Sequence, residues 1–124
     1  MKSPRLLASC MGVLLVLPQH AWSESLRPIR LSCETQGPAA IRLCDAVRDE
    51  LARRGFSDQP DAEFQLILKA SDSDQHGLRA RIGVVDGGPM REGQEAELSI
   101  MDHASIPESA LRSFAASLLD HTPL

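Results

Sequence analysis

Residues 27–56, RPIRLSCETQGPAAIRLCDAVRDELARRGF, change period partway along, and that change decides the fold. From Arg27 to Cys33, the residues Ile29, Leu31 and Cys33 alternate with Arg30 and Ser32. A period of two marks a half-buried strand. Gly37-Pro38 ends that pattern, and proline suits the first turn of a helix. Ile41, Cys44, Val47 and Leu51 then recur near helical spacing and define an expected inner face. Arg53 and Arg54 fall in the last turn, where the helix dipole favours cations. Gly55 suits the position just past the helix, with Phe56 placed for the accompanying apolar contact. The reading is a strand over 27–33 and a helix over 38–54.

Downstream, the period returns to two. Phe64, Leu66, Leu68 and Ala70 alternate with Gln65 and Lys69, which predicts a strand over 63–70. Leu78, Ala80, Ile82 and Val84 alternate with Arg79 and Arg81; Ala96, Leu98 and Ile100 alternate with Glu95, Glu97 and Ser99. The connectors 71–77 and 86–94 are rich in Gly, Asp and Ser and read as hairpin loops. Ser105-Ile106-Pro107-Glu108 fits a capping box, and Leu111, Phe114, Ala115, Leu118 and Leu119 follow on one helical face. This predicts a second helix over 106–120.

The expected order is β-α-β-β-β-α. Each strand has one apolar face, so the sheet buries one side. The expected fold is α+β: a two-layer sandwich with a four-stranded mixed sheet and two helices on one face. This layout resembles that of small envelope-accessory domains, such as the amino-terminal domain of the Tol translocation protein and the lipopolysaccharide-assembly lipoprotein family. The likeness is one of element order over residues 24–124. No motif carries it, so it assigns no functional residue.

Upstream, residues 1–23 read as a cleaved secretory signal. Lys2 and Arg5 form a positive start, Leu6–Leu17 an apolar run of 12 residues, and Ala21-Trp22-Ser23 a cleavage site before Glu24. A conventional membrane span needs ~20 apolar residues, so the run is too short to be one. Leu7-Ala8-Ser9-Cys10 also matches a lipobox. Most of the apolar run follows Cys10, however, whereas a lipoprotein signal places it before the cysteine. The expectation is therefore a periplasmic or secreted protein with a single small domain over 24–124.

Removal of the signal leaves 11 basic and 17 acidic residues, a formal charge of −6, with no Trp and no Tyr. Ten of the 11 basic residues are Arg, which fits GC-rich bacterial coding. An acidic domain poor in aromatics argues against nucleic-acid binding, which favours a basic face and stacking rings. Two cysteines remain, Cys33 and Cys44. An even count in an exported chain predicts a disulfide between them.

Catalytic signatures are absent. The chain has no G-x-S-x-G, C-x-x-C, H-E-x-x-H or phosphate loop, and the glycine-rich stretch after Asp86 lies between strands. The segment from Asp72 begins like a calcium loop but carries Gly83 where an EF-hand needs a bidentate Glu. No catalytic residue, cofactor or metal site is therefore assigned.

Two surfaces are candidates. The expected topology gathers Asp72, Asp74, His76, Asp102 and His103 at one end of the sheet, together with Glu34. Carboxylates and imidazoles there could hold a divalent cation or, with the helix N-termini, a small anion. The outer sheet face carries Ile67, Arg79, Arg81, Val85 and Met101. Apolar residues grouped on a polar face suit a protein partner. The expected function is thus a non-enzymatic envelope accessory or protein-interaction domain. The alternative is a metal- or anion-binding module at the Asp72–His76 and Asp102–His103 end. The sequence does not decide the oligomeric state.

Overall fold

The computed structural model describes residues 26–74, 77–100 and 105–124. The expected signal segment lies outside them. The elements are β1 (Arg27–Gln36), α1 (Pro38–Arg53), β2 (Phe56–Asp58), β3 (Phe64–Asp74), β4 (Gly77–Asp86), β5 (Arg91–Glu92), β6 (Ala96–Ser99) and α2 (Glu108–Asp120). The fold is α+β with a mixed sheet. The strand order is β2-β1-β3-β4-β5, and β6 also pairs with β4. β1 runs parallel to β2 and β3, whereas β4 is antiparallel to β3, β5 and β6.

The sheet is therefore six-stranded, not four-stranded. The two additional strands span three and two residues. Such pieces are too short to show a period, and their partners decide them. Phe56–Asp58 runs in register with Arg27–Ile29. Asp58 fixes that pairing: its Oδ1 accepts the Leu31 N–H at 3.3 Å and its Oδ2 accepts Arg48 Nε at 3.4 Å. Arg27 also stacks 4.6 Å above the Phe56 ring. The expected loop at 71–77 is mostly strand, because β3 continues to Asp74 in register with β4, with an irregularity between Asp72 and Asp74. Ser and Asp favour turns locally, but here the ladder outweighs that preference.

One apolar core gathers buried residues from the strands and from both helices. Ile29, Leu31, Leu66, Leu68, Leu78, Ile82 and Val84 are buried with Leu43, Val47 and Leu51 of α1 and Leu111, Phe114 and Leu119 of α2. Among the described residues, no polar or charged side chain is buried in it. Burying unpaired polar groups would be costly, so the clean segregation is itself stabilising.

Two expectations about the helices are corrected. Ile41 is 55% exposed, and Ala40 and Leu43 take the inner positions beside Cys44, Val47 and Leu51. The expected inner set and the observed one differ by a rotation of the helix. α2 begins at Glu108, with Pro107 at the N-cap position and no side-chain cap. Ser105 is therefore not a capping residue. Instead, Ile106 precedes the cap and is buried, as is Leu111 four residues into the helix. These are the positions of a hydrophobic staple.

The start of α1 is capped from the neighbouring strand β3, where Ser71 pairs with Gln36. Gly37 has φ 110°, a conformation that L side chains disfavour. A side chain there would also run into the Asp72 carboxyl group. That carboxylate accepts the N–H groups of Ala39 at 3.2 Å and Ala40 at 2.9 Å. At the other end Gly55, at φ 90°, follows the helix as expected. Cys33 and Cys44 form a disulfide with Cα atoms 6.2 Å apart, tying β1 to the second turn of α1. No helix among the described residues is long and apolar enough to cross a membrane.

Candidate functional site

The outer face of the sheet carries the described members of the expected interface. Side chains alternate across a strand, so Ile67, Lys69, Arg79, Arg81 and Val85 lie on the face opposite the buried Leu66, Leu68, Ala80, Ile82 and Val84. Ile67 and Val85 are half-buried there. In the ladder Ile67 lies opposite Gly83, and Gln65 opposite Val85. Met101 lies outside the described residues.

A residue not anticipated from the sequence completes this patch. A Cβ built on Gly83 would stand 2.8 Å from the Met90 sulfur. Met90 therefore lies over Gly83, beside Ile67, and is itself 38% exposed. The signal for it was weak: a lone Met in a Gly-Pro loop has no period. The fold-back of β5 onto Gly83 and Val84 brings it into place.

Charged pairs flank the apolar group on one side, toward the Ser71 end of β3. Arg79 bonds Glu97 at 2.9 Å and Lys69 bonds Glu92 at 3.2 Å. Arg81 lies between Glu92 at 3.7 Å and Glu95 at 3.9 Å. Farther along the face, an open concavity of about 470 Å³ is lined by Glu34, Thr35, Lys69, Ser71, Arg79 and Glu95, among others. All these ion pairs are substantially exposed, so each adds little to stability.

At the other candidate surface, Asp72 gives both carboxylate oxygens to the α1 backbone. Asp74 ends β3 opposite Gly77. His76, Asp102 and His103 lie outside the described residues. Among the described residues, no three His, Cys, Asp or Glu side chains converge as metal ligands. Glu34, at the same end, is exposed and turned to the outer concavity.

Titration is perturbed away from both surfaces. Glu50 is held below the ordinary carboxylate range, first by its hydrogen bond to Arg53 and then by that to Arg54. Arg54 is in turn raised by Glu50 and then Asp120. Arg54 reaches Asp120 at 2.7 Å and the Ala116 carbonyl at 3.2 Å, so this cluster joins α1 to α2. Its role is structural. Compared with known proteins, the sequence matches no family model and no curated relative.

Proposed function

We propose that this is a non-enzymatic, exported accessory domain that binds an envelope protein through the outer face of its sheet. The observation that carries the reading is the patch of Ile67, Val85 and Met90, flanked on one side by the paired charges of Lys69, Arg81 and Glu92. Protein interfaces combine an apolar centre with a polar rim, and a few central residues dominate the energy. Export draws support from the signal-like residues 1–23 and from the Cys33–Cys44 disulfide, since such bonds persist in oxidising compartments. The architecture that frees this face is a two-layer one, with α1 and α2 both on the inner side. The one-sided burial of the strands supports it.

The test is capture of a partner from an envelope extract. Ile67→Ser combined with Met90→Ser is expected to abolish capture of a specific partner while leaving the far-UV spectrum unchanged. Asp74→Ala combined with His76→Ala is expected to leave capture intact. The reverse pattern would overturn the reading in favour of a ligand-binding loop end. That alternative has less support, because Asp72, its described member with side-chain contacts, is already committed to capping α1.

A further inference from the structure

We propose that Asp86-Gly87 is a site of spontaneous covalent modification, where aspartate rearranges to isoaspartate and resets the turn that carries Met90. It is the one Asp-Gly step in a chain that contains no Asn. The chemistry needs only groups already present. The Gly87 backbone nitrogen attacks the side-chain carboxyl carbon of Asp86 in its acid form. The amide proton and the acid hydroxyl leave as water, and a five-membered succinimide closes. Water then opens the ring at either carbonyl. Opening at the main-chain carbonyl leaves isoaspartate, in which the backbone runs through the side-chain methylene. Glycine suits the attacking position because it has no Cβ to hinder the approach.

Ring closure requires a carboxyl group that is not held elsewhere, a free amide nitrogen and a main chain able to rotate between them. All three meet here. Asp86 and Gly87 are both exposed. Among the described residues, no ion pair holds the Asp86 carboxylate, and the Gly87 N–H donates to no backbone carbonyl. A Cβ built on Gly87 would meet nothing within 4 Å, so the surroundings are open. Asp86 is also the last residue of β4, paired with Phe64 at the start of β3. No further rung of that ladder fixes the peptide that follows.

Other aspartates with a residue of modest size after them are tied down by the fold. Asp72 precedes Ser73, but both its oxygens accept N–H groups of α1, at 3.2 and 2.9 Å. Asp58 precedes Gln59 and is held by the Leu31 N–H and by Arg48. Asp120 precedes His121 and bonds Arg54 at 2.7 Å. A carboxyl group fixed by such bonds cannot swing onto the next nitrogen without breaking them. The folded chain therefore directs the rearrangement to Asp86.

The position of this step gives the change a consequence. Isoaspartate adds one atom to the main chain between Val85 and Gly87. That is the root of the segment 87–90, which folds back to lay Met90 over Gly83. Close packing leaves little slack there, since a Cβ on Gly83 would stand 2.8 Å from the Met90 sulfur. A longer turn displaces Met90 from this seat. Any effect on partner binding rests on the proposed role of the outer face; the rearrangement at Asp86 and the shift of Met90 do not.

The test is to hold the folded protein for weeks at neutral pH and physiological temperature, then digest it with trypsin. Isoaspartate is read by enzymatic methylation with a protein isoaspartate methyltransferase and a labelled methyl donor. The tryptic peptide 82–91 contains Asp86 as its one acidic residue, and the peptide 70–79 contains Asp72 and Asp74. Label is expected in 82–91 at several-fold the level in 70–79, in a form of unchanged mass that elutes separately. In urea, which frees Asp72, label should rise in 70–79 as well. Asp86→Glu, whose ring would have six members and closes far more slowly, should lose the label from 82–91 with an unchanged circular dichroism spectrum. The Met90 methyl resonance should move in the isomerised fraction. Folded protein with no label in 82–91, or with equal label in the two peptides, would overturn the site. A Met90 resonance that stays in place would overturn the resetting of the turn. Because these readouts involve no partner, the capture test succeeds or fails independently.

Discussion

Leu66 and Ile67 are neighbours in β3 and occupy opposite environments. Leu66 is 0% exposed, among residues from three strands and two helices. Ile67 is half-buried on a face otherwise held by Lys69, Arg79 and Arg81 with their acidic partners. The two residues differ by one step along a strand and by almost nothing in chemistry. The inner face holds the molecule together by removing apolar surface from water, whereas the outer face is organised by exposed ion pairs that contribute little to folding. An apolar cluster on the second face is therefore surplus to the needs of the fold. That surplus is why we read it as a surface for a partner.

The largest effect should come from breaking the inner face. Leu66→Ala and Phe114→Ala are each expected to destabilise by ~2–5 kcal/mol, through lost transfer energy and the cavity left behind. Ile67→Ala should cost under ~1.5 kcal/mol, because part of its surface is already wet. Urea denaturation of the three variants decides the matter. Equal losses at 66 and 67 would mean that a second layer covers the outer face.

Reduction of Cys33–Cys44 comes next. The bridge closes a loop of 12 residues, and the loop-entropy model gives roughly 3 kcal/mol. Thermal melts with and without reductant should differ accordingly, and non-reducing peptide mapping should link the two cysteines. An unchanged melting temperature would show that α1 is held to β1 by the inner face alone.

These contrasts also mark what a sequence conveys. The alternation of Leu66, Leu68 and Ala70, and of Leu78, Ala80, Ile82 and Val84, is a direct imprint of one-sided burial, so the long strands could be read. The cysteine pair was legible from the even count that remains once the signal-like residues 1–23 are set aside. The strand at Phe56–Asp58 was not, since three residues carry no period and only β1 defines it. Ile41 misled because side-chain type was read ahead of helix phase. Ala40 and Leu43 show the true phase. At the candidate site, Ile67 and Val85 could be placed from alternation. Met90 depends on a loop folding back, and the capping role of Asp72 depends on a contact with Ala40, far away in the chain.

Asp72→Ala should have an intermediate effect. Loss of two hydrogen bonds at a helix N-terminus, with the favourable dipole contact, is worth ~1–2 kcal/mol. Asp72→Asn should recover part of it, and urea midpoints would read both. If Asp72→Ala were silent, the join between the sheet end and α1 would not rest on this carboxylate.

A smaller effect belongs to Glu50. Its folded-state value is depressed by Arg53 and Arg54, so its stabilisation is present above its unfolded value of about 4.5. The contribution is lost as pH falls through the lower folded value. A melting-temperature profile of the wild type against Glu50→Gln should show the two curves converging in acid. Curves that stay parallel would show that the ion pairs of Glu50 with Arg53 and Arg54, within α1, add nothing to stability.

The smallest effect is expected on the outer face itself. Arg79 and Glu97 face each other across β4 and β6 at 2.9 Å, yet both side chains are more than half exposed. Water screens such a pair and both side chains lose rotamer freedom in forming it, so Arg79→Ala should cost under ~1 kcal/mol. Glu97→Ala should match it, and the double variant should cost no more than about the sum, which a double-mutant cycle in urea would measure. A coupling well above ~1 kcal/mol would mean that the pair is shielded from solvent. The outer face would then be covered in the native protein, by a second subunit or by an element lying across it. The contrast between Leu66 and Ile67 would in that case reflect two buried layers of unequal polarity, not a core and a free surface.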